Sequence, residues 1–212
     1  MKKTILFLSS IIFIPILAYK IDWINYLLIL LVLLSIVFLI IAGLISIFKS
    51  LKRKIFIVPL FIICICIVGV ITSFFGPYDN PVINTENLSK NLEYAYKTDQ
   101  NDRMQLRSFI GYFSKLKQRD SIRLKQVRSN YSQDQILAPM DKFHAAFVFH
   151  HSDNSTDYKI ASELASEAAN SVKLKDNYTV QWLQRASYDR YMLSIGKPEK
   201  YNTQNKFSID LN

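Results

Sequence analysis

Two runs without a single formal charge, Tyr26 to Phe48 and Ile55 to Phe75, constrain this chain more than any other feature. A helix rises about 1.5 Å per residue and a bilayer's hydrocarbon core is about 30 Å thick. Runs of 23 and 21 residues therefore suffice for two crossings. Pro59 falls in the first turn of the later run, where its missing N–H costs little. A third apolar run of 16 residues, Thr4 to Tyr19, follows Lys2 and Lys3. It reads either as a short first span or as a signal peptide. The span is the better reading: Ile16 and Ala18 stand where a cleavage site wants two small residues, and Ile21 and Trp23 extend the run into the interface.

The charges are distributed accordingly. Of 26 basic and 17 acidic residues, residues 1–75 hold seven basic and one acidic, leaving 19 and 16 for the remainder. Most of the formal +9 thus belongs to the apolar part. Lys49, Lys52, Arg53 and Lys54 lie together between the long runs with no acid among them, whereas Lys20 faces Asp22 in the preceding loop. Short basic loops stay in the cytoplasm, so everything after Phe75 is expected on the outer side. Attraction to anionic headgroups accounts for the basic loop, and nucleic-acid binding loses its main support. The expectation is a multi-pass protein of a cytoplasmic membrane with its C-terminal domain extracytoplasmic. The Ile, Lys and Asn content fits an AT-rich bacterial genome.

The organisation expected is a membrane segment over 1–75 (helices about 4–21, 26–48 and 55–75), a turn-rich linker over 76–85 and a helical domain over 86–212. Leu88, Leu92 and Tyr96, followed by Met104, Phe109, Phe113 and Leu116, fit a long or broken helix beginning near Asn84-Thr85. A second helix is marked by Ile122, Leu124 and Val127 after Asp120, and a third, opened by Pro139, by Phe143, Phe147 and Val148. A fourth starts near Asp157, and a fifth ends at Gly196 and Pro198. The fold class is all-α, with about five helices beyond the membrane segment. Cys64 and Cys66, two apart on one helix, point about 200° apart and cannot share a metal. Gly69 and Gly43 are the positions in the long runs where helices can approach closely.

His150-His151-Ser152-Asp153 is the densest polar group. Imidazole beside carboxylate provides a general base with an orienting partner, or two metal ligands, and equally a cap for a helix C-terminus. His144 lies seven residues before His151 on the same helical face. There is no phosphate loop, nucleophile elbow or His-Glu-x-x-His zinc motif, and no cofactor is expected. Arg185 and Asp189 are spaced to pair on the fifth helix, and Asp189 or Arg190 are natural holders for the tail Tyr201-Asn202-Thr203-Gln204.

These clusters, in this order, resemble an uncharacterised bacterial family of domains of unknown function. That family carries a Gln-His-Ala-Asp element, an Asp-Arg pair and a terminal Tyr-Gly-Thr-Gln. Here they stand as His150-His151-Ser152-Asp153, Asp189-Arg190 and Tyr201-Asn202-Thr203-Gln204, with Asp99-Gln100, Arg103 and Asp120, Arg123, Leu124 matching upstream segments. The resemblance covers about residues 93–204. It departs at His150, at Asn202 in place of Gly, and at a missing Gly-Trp-Pro. It implies that Asp99, Arg103, His151, Asp153, Asp189, Arg190, Tyr201, Thr203 and Gln204 converge, and it implies no reaction.

Two function classes follow. One is a membrane-anchored domain that binds a protein partner or an envelope component, with the lipid bilayer as its other partner. The alternative is a hydrolase or metal-dependent enzyme with His151 as base or ligand, Asp153 or Asp189 as carboxylate and Arg190 holding an anion. In either class Asp99, Arg103, Tyr201, Thr203 and Gln204 form a binding or structural polar cluster, and a third reading makes all of these residues a buried hydrogen-bonded network that fixes the tail onto the helices. His151 and Asp153 are the metal-ligand candidates.

Overall fold

The computed structural model describes residues 2–204, with side chains from residue 9 onward; residue 1 and residues 205–212, at the ends of the segments expected above, lie outside the described residues. Eight α-helices and one 3-10 turn make up the regular structure of that range, and no strand occurs among the described residues. The chain divides into two compact units, Met1–Tyr78 with Met104–Ser114, and Asp79–Arg103 with Lys115–Asn212.

The first unit contains α1 (Lys2–Lys20), α2 (Ile24–Phe48) and α3 (Lys54–Ser73). The helices α2 and α3 are long and apolar enough to cross a membrane, and α1 contributes a shorter apolar stretch, Ser9–Lys20. Their polarity is inverted relative to a water-soluble bundle: Leu34, Phe38 and Ile41 face outward, whereas Asn25 and Ser35 are buried. Both α1 and α2 pack on α3. Gly69 is what lets them in. A Cβ there would come within 2.6 Å of Leu28 Cδ1 and 3.2 Å of Ile14 Cγ2, whereas one at Gly43 would meet nothing within 4 Å. Small residues allow such approach where lipid offers no hydrophobic drive between helices.

The second unit contains α4 (Leu88–Met104, its last residue passing into the first unit), α5 (Leu116–Ser132), α6 (Pro139–His150), α7 (Ser155–Ala169) and α8 (Tyr178–Ser194). The core lies around α6, whose residues from Phe143 to His150 are all buried against α7, α8 and α5. Leu92, Ala95, Val127, Leu164 and Leu183 close it from the neighbouring helices. Each of the leucines and Val127 contributes roughly 1.5–3 kcal/mol by leaving water.

The helix ends have local causes. Pro139 occupies the first turn of α6, and Asn154 and Asn177 cap α7 and α8 by accepting from Asp157 N–H (3.0 Å) and Thr179 N–H (3.1 Å). The start of α4 is Leu88 rather than Asn84-Thr85, because Asn87 Oδ1 takes the capping bond from Lys90 N–H at 3.0 Å. After α8 the chain turns at Gly196 with φ +72°, and Lys197 N–H donates to Met192 O while Gly196 N–H donates to Leu193 O. Those paired bonds across a left-handed residue form a Schellman stop.

Two expectations from periodicity are corrected. The helix α5 begins at Leu116, before Asp120, because Arg119 and Arg123 turn toward Asp102 of α4 and Asp120 turns toward Arg103, which gives it a buried polar face. Met104, Phe109 and Phe113 do not continue α4. The helix ends at Met104, and Leu106–Phe109 is a 3-10 turn in a segment that leaves the second unit and packs with the first.

Candidate functional site

Two polar clusters lie in the second unit. The first joins α4, α5 and the C-terminal end of α6. Asp99 is buried, and its Oδ1 accepts from Arg103 Nη2 at 3.0 Å while its Oδ2 accepts from Gln100 Nε2 at 2.7 Å. Arg103 Nη2 also donates to Asp120 Oδ2 at 2.7 Å. Arg123, fully buried, donates to Asp120 Oδ1 at 3.1 Å, to Thr98 Oγ1 at 3.2 Å and to Asp102, which Arg119 also reaches at 2.6 Å. The guanidiniums thus satisfy the buried acids with fixed forks, as burial of charge requires.

His151, the C-cap of α6, brings its Nδ1 to 2.9 Å from Asp99 Oδ2 and 3.1 Å from Arg103 Nε. One atom therefore faces an acceptor and a donor. With a proton on Nδ1 it donates to Asp99; without one it accepts from Arg103. Burial would raise the Asp99 carboxyl, but the His151 hydrogen bond and charge, with Arg103 and Arg123, bring it down to about 2. Asp120 moves the other way, raised by burial and by the Asp99 charge against the opposing Arg103.

A pocket of about 550 Å³ opens beside this cluster, lined by Lys117, Asp120, Arg128, His151, Ser152 and Asp153 among others. Arg128 is held at its rim by Asp157, with Nε donating to Oδ1 at 3.1 Å. Burial tends to raise Asp157, but hydrogen bonds from Arg128, Ser152 and Asn154 hold it below the ordinary value. Asp153 is exposed at the pocket edge.

The second cluster ties the tail to α8. Asp189 is fully buried and accepts from Lys200 N–H (2.8 Å), Tyr201 N–H (3.0 Å), Thr203 N–H (3.1 Å) and Thr203 Oγ1–H (2.8 Å). Burial opposes ionisation, and the backbone donors from Tyr201 and Lys200, with Thr203, outweigh it and hold the carboxyl below its ordinary value. Arg190 Nε donates to Gln204 Oε1 at 3.0 Å and Nη1 to His150 O at 2.7 Å, while Gln204 Nε2 donates to Ala186 O at 3.0 Å. Asn202 stands at φ +52°, the left-handed conformation that Asn tolerates in place of Gly.

Of the residues singled out by sequence, the structure brings Asp99, Arg103 and His151 into one cluster and Asp189, Arg190, Tyr201, Thr203 and Gln204 into the other. Asp153 lies at the pocket with His151. The link between the clusters is Arg190 on the His150 carbonyl. His144 does not join His151; it stacks on Tyr96 with ring centroids 5.0 Å apart. The sequence reading missed Asp102, Arg119, Arg128 and Asp157. The signal for Asp102 and Arg119 was the match between the acids of α4 and the arginines of α5, and that for Arg128 and Asp157 a match between α5 and α7; only pairing of the helices makes either visible. Among the described residues no group of three or more His, Cys, Asp or Glu side chains is placed to hold a metal ion.

No protein-family model, curated protein or solved structure matches the chain.

Proposed function

We propose that this is a membrane-anchored protein whose helical unit, on the extracytoplasmic side of a bacterial cytoplasmic membrane, binds a protein partner or an envelope component at the His151 pocket. One observation carries the reading: the polar residues are divided by role. Asp189 and Arg190 are consumed in holding the tail, whereas His151 and Asp153 stand at an open pocket of a size suited to recognition. The family resemblance of residues 93–204 belongs to the same reading, since its motifs fall on both clusters.

Three spans are the topology proposed. The α1 helix of 19 residues reaches roughly 28 Å at 1.5 Å per residue. Ile14 and Ala18 lie over Gly69, which argues for a first helix retained rather than cleaved. A Cβ on Gly76 would lie 2.7 Å from Tyr19 O, so α1 and α3 end together. Their starts, with Lys2, Lys3, Arg53 and Lys54, then share the other end with Lys49 and Lys52, which is the cytoplasmic one by the positive-inside rule.

The test has two arms. A C-terminal reporter active only outside the cytoplasm is expected to be active, and activity of a cytoplasm-only reporter would refute the sidedness. A photo-cross-linking residue at Asp153 or Ser121 of the full chain in cells is expected to give a discrete adduct that His151→Trp, filling the pocket, removes. No adduct at either position, with an unaltered envelope on deletion, would overturn the binding reading.

The second reading, an enzyme, draws on one specific observation. His151 lines the pocket and its Nδ1 is held by buried Asp99, the arrangement that orients an imidazole for proton transfer. In this version Asp99, not Asp153 or Asp189, is the orienting carboxylate. His151→Asn would then abolish the cellular phenotype without lowering protein abundance.

A further inference from the structure

Residues 104–114 are inside out. Arg107 is only 2% exposed, whereas Met104 is 71%, Phe109 76% and Tyr112 91% exposed. In water the opposite arrangement is expected, and a cluster of exposed large apolar side chains marks an interaction surface.

The polar groups of this segment are used to fasten it to the helical ends of the first unit. Arg107 donates to the carbonyls of Gly76 and Pro77 and to Gln105 Oε1, and its guanidinium lies 3.4 Å from the Tyr78 ring centroid. Gln105 Nε2 donates to Asp22 Oδ2 at 2.8 Å, and the Tyr26 hydroxyl donates to Met104 O. The Phe113 ring lies 5.1 Å from that of Phe74 and 5.4 Å from that of Phe75. Every one of these anchors sits at the end of the bundle where α1 passes into α2 and α3 stops. That same end exposes Tyr19, Trp23, Tyr26 and Phe75, aromatics of the kind that gather at a membrane–water interface.

We propose that residues 104–114 form an interfacial foot, with Phe109, Ile110 and Tyr112 seated in the headgroup layer of the bilayer that α2 and α3 cross. Continuity selects lipid as the occupant: the exposed side chains extend the apolar surface of the spans past the end of α3, and the buried Arg107 fixes their height. An interfacial element of this kind gains from apolar burial while its backbone polar groups stay at the wet boundary. The proposal rests on the reading of α2 and α3 as spans.

Depth measurement separates the two. The full chain, with Cys64 and Cys66 replaced by Ala, is reconstituted in phosphatidylethanolamine and phosphatidylglycerol vesicles and spin-labelled at single cysteines. The variants are Phe109→Cys, Tyr112→Cys, Phe38→Cys within α2 and Lys125→Cys on α5. Collisions with oxygen report lipid, and collisions with a water-soluble nickel chelate report solvent. The oxygen-to-nickel ratio at 109 and 112 is expected several-fold above that at 125 and below that at 38. Ratios at 109 and 112 equal to that at 125, with 38 deep, overturn the foot alone; an aqueous label at 38 removes the spans and the foot together. Spin–spin broadening at 109 that disappears on dilution with unlabelled chain would assign the surface to a second copy and also overturn the proposal.

Discussion

Nδ1 of His151 lies 2.9 Å from Oδ2 of Asp99, and Arg103 Nε approaches the same nitrogen at 3.1 Å. The imidazole thereby has a partner in either protonation form, while Asp99 is held as a carboxylate by its surroundings. Of the two, Asp99 is the more deeply buried, and His151, Arg103 and Arg123 hold its charge against that burial.

The Asp99 carboxyl falls from an ordinary value of 3.8 to about 2 in the fold. A depressed acid contributes stability above its unfolded value and loses it as pH drops through the folded one. The unfolded chain therefore takes up this proton first, and stability should decline from just above pH 4 toward pH 2 by on the order of 2 kcal/mol. Asp99→Asn should flatten that limb, read from denaturant midpoints of the full chain in detergent, while lowering stability at neutral pH. An unchanged acid limb would refute the assignment.

His150 should produce a second, milder acid step. Burial pushes its imidazole well below 6.5, with Arg190, His151 and Arg103 adding to the effect and Asp99 opposing it. Below pH 6.5 the unfolded histidine binds a proton that the folded one refuses, so stability falls as pH is lowered through that range. Replacing His150 by Gln should shrink the drop in melting temperature between pH 7 and 5.5. A drop as large as that of the unaltered chain would place its origin elsewhere.

Asp189→Ala should cost roughly 2–4 kcal/mol, because one carboxylate serves three backbone N–H groups and the Thr203 hydroxyl. Limited proteolysis should cut between Lys197 and Lys200 in the variant before it cuts the unaltered chain. Equal cutting rates would show that the tail is held by Arg190 and Gln204 without it.

Gly69→Leu and Gly43→Leu make a matched pair. Only the first forces a side chain against Leu28 and Ile14. Thermal stability in detergent should fall for Gly69→Leu, by roughly 1–3 kcal/mol for overpacking, and stay near that of the unaltered chain for Gly43→Leu. Equal effects would dissociate the α1–α3 packing from this glycine.

What the sequence made legible followed from strong local signals. Uncharged runs gave α2 and α3, Pro139 opened α6, and Gly196 stopped α8. Where polar residues turned inward, periodicity misled: Arg119, Asp120 and Arg123 hid the start of α5 because the face they line is buried charge. Met104, Phe109 and Phe113 have helical spacing, yet the helix ends at Met104 and the other two lie on the turns that follow, since spacing records neither a helix end nor which surroundings are apolar. The hold of Asp189 and Arg190 on the tail was legible in the sequence, whereas the His151 site was legible as residues and not as partners. His151 has a carboxylate neighbour in Asp153, but its hydrogen-bonding partner is Asp99, on another helix.

The foot has a practical consequence for anyone cutting the chain. A soluble fragment starting at Asp79 keeps Met104–Ser114 but discards Asp22, Tyr26, Phe74 and Gly76, to which that segment is fastened. Phe109, Ile110 and Tyr112 would then face bulk water on an unfastened turn, and such a fragment should self-associate. Polar replacements at these three positions, rather than a different starting residue, are the remedy.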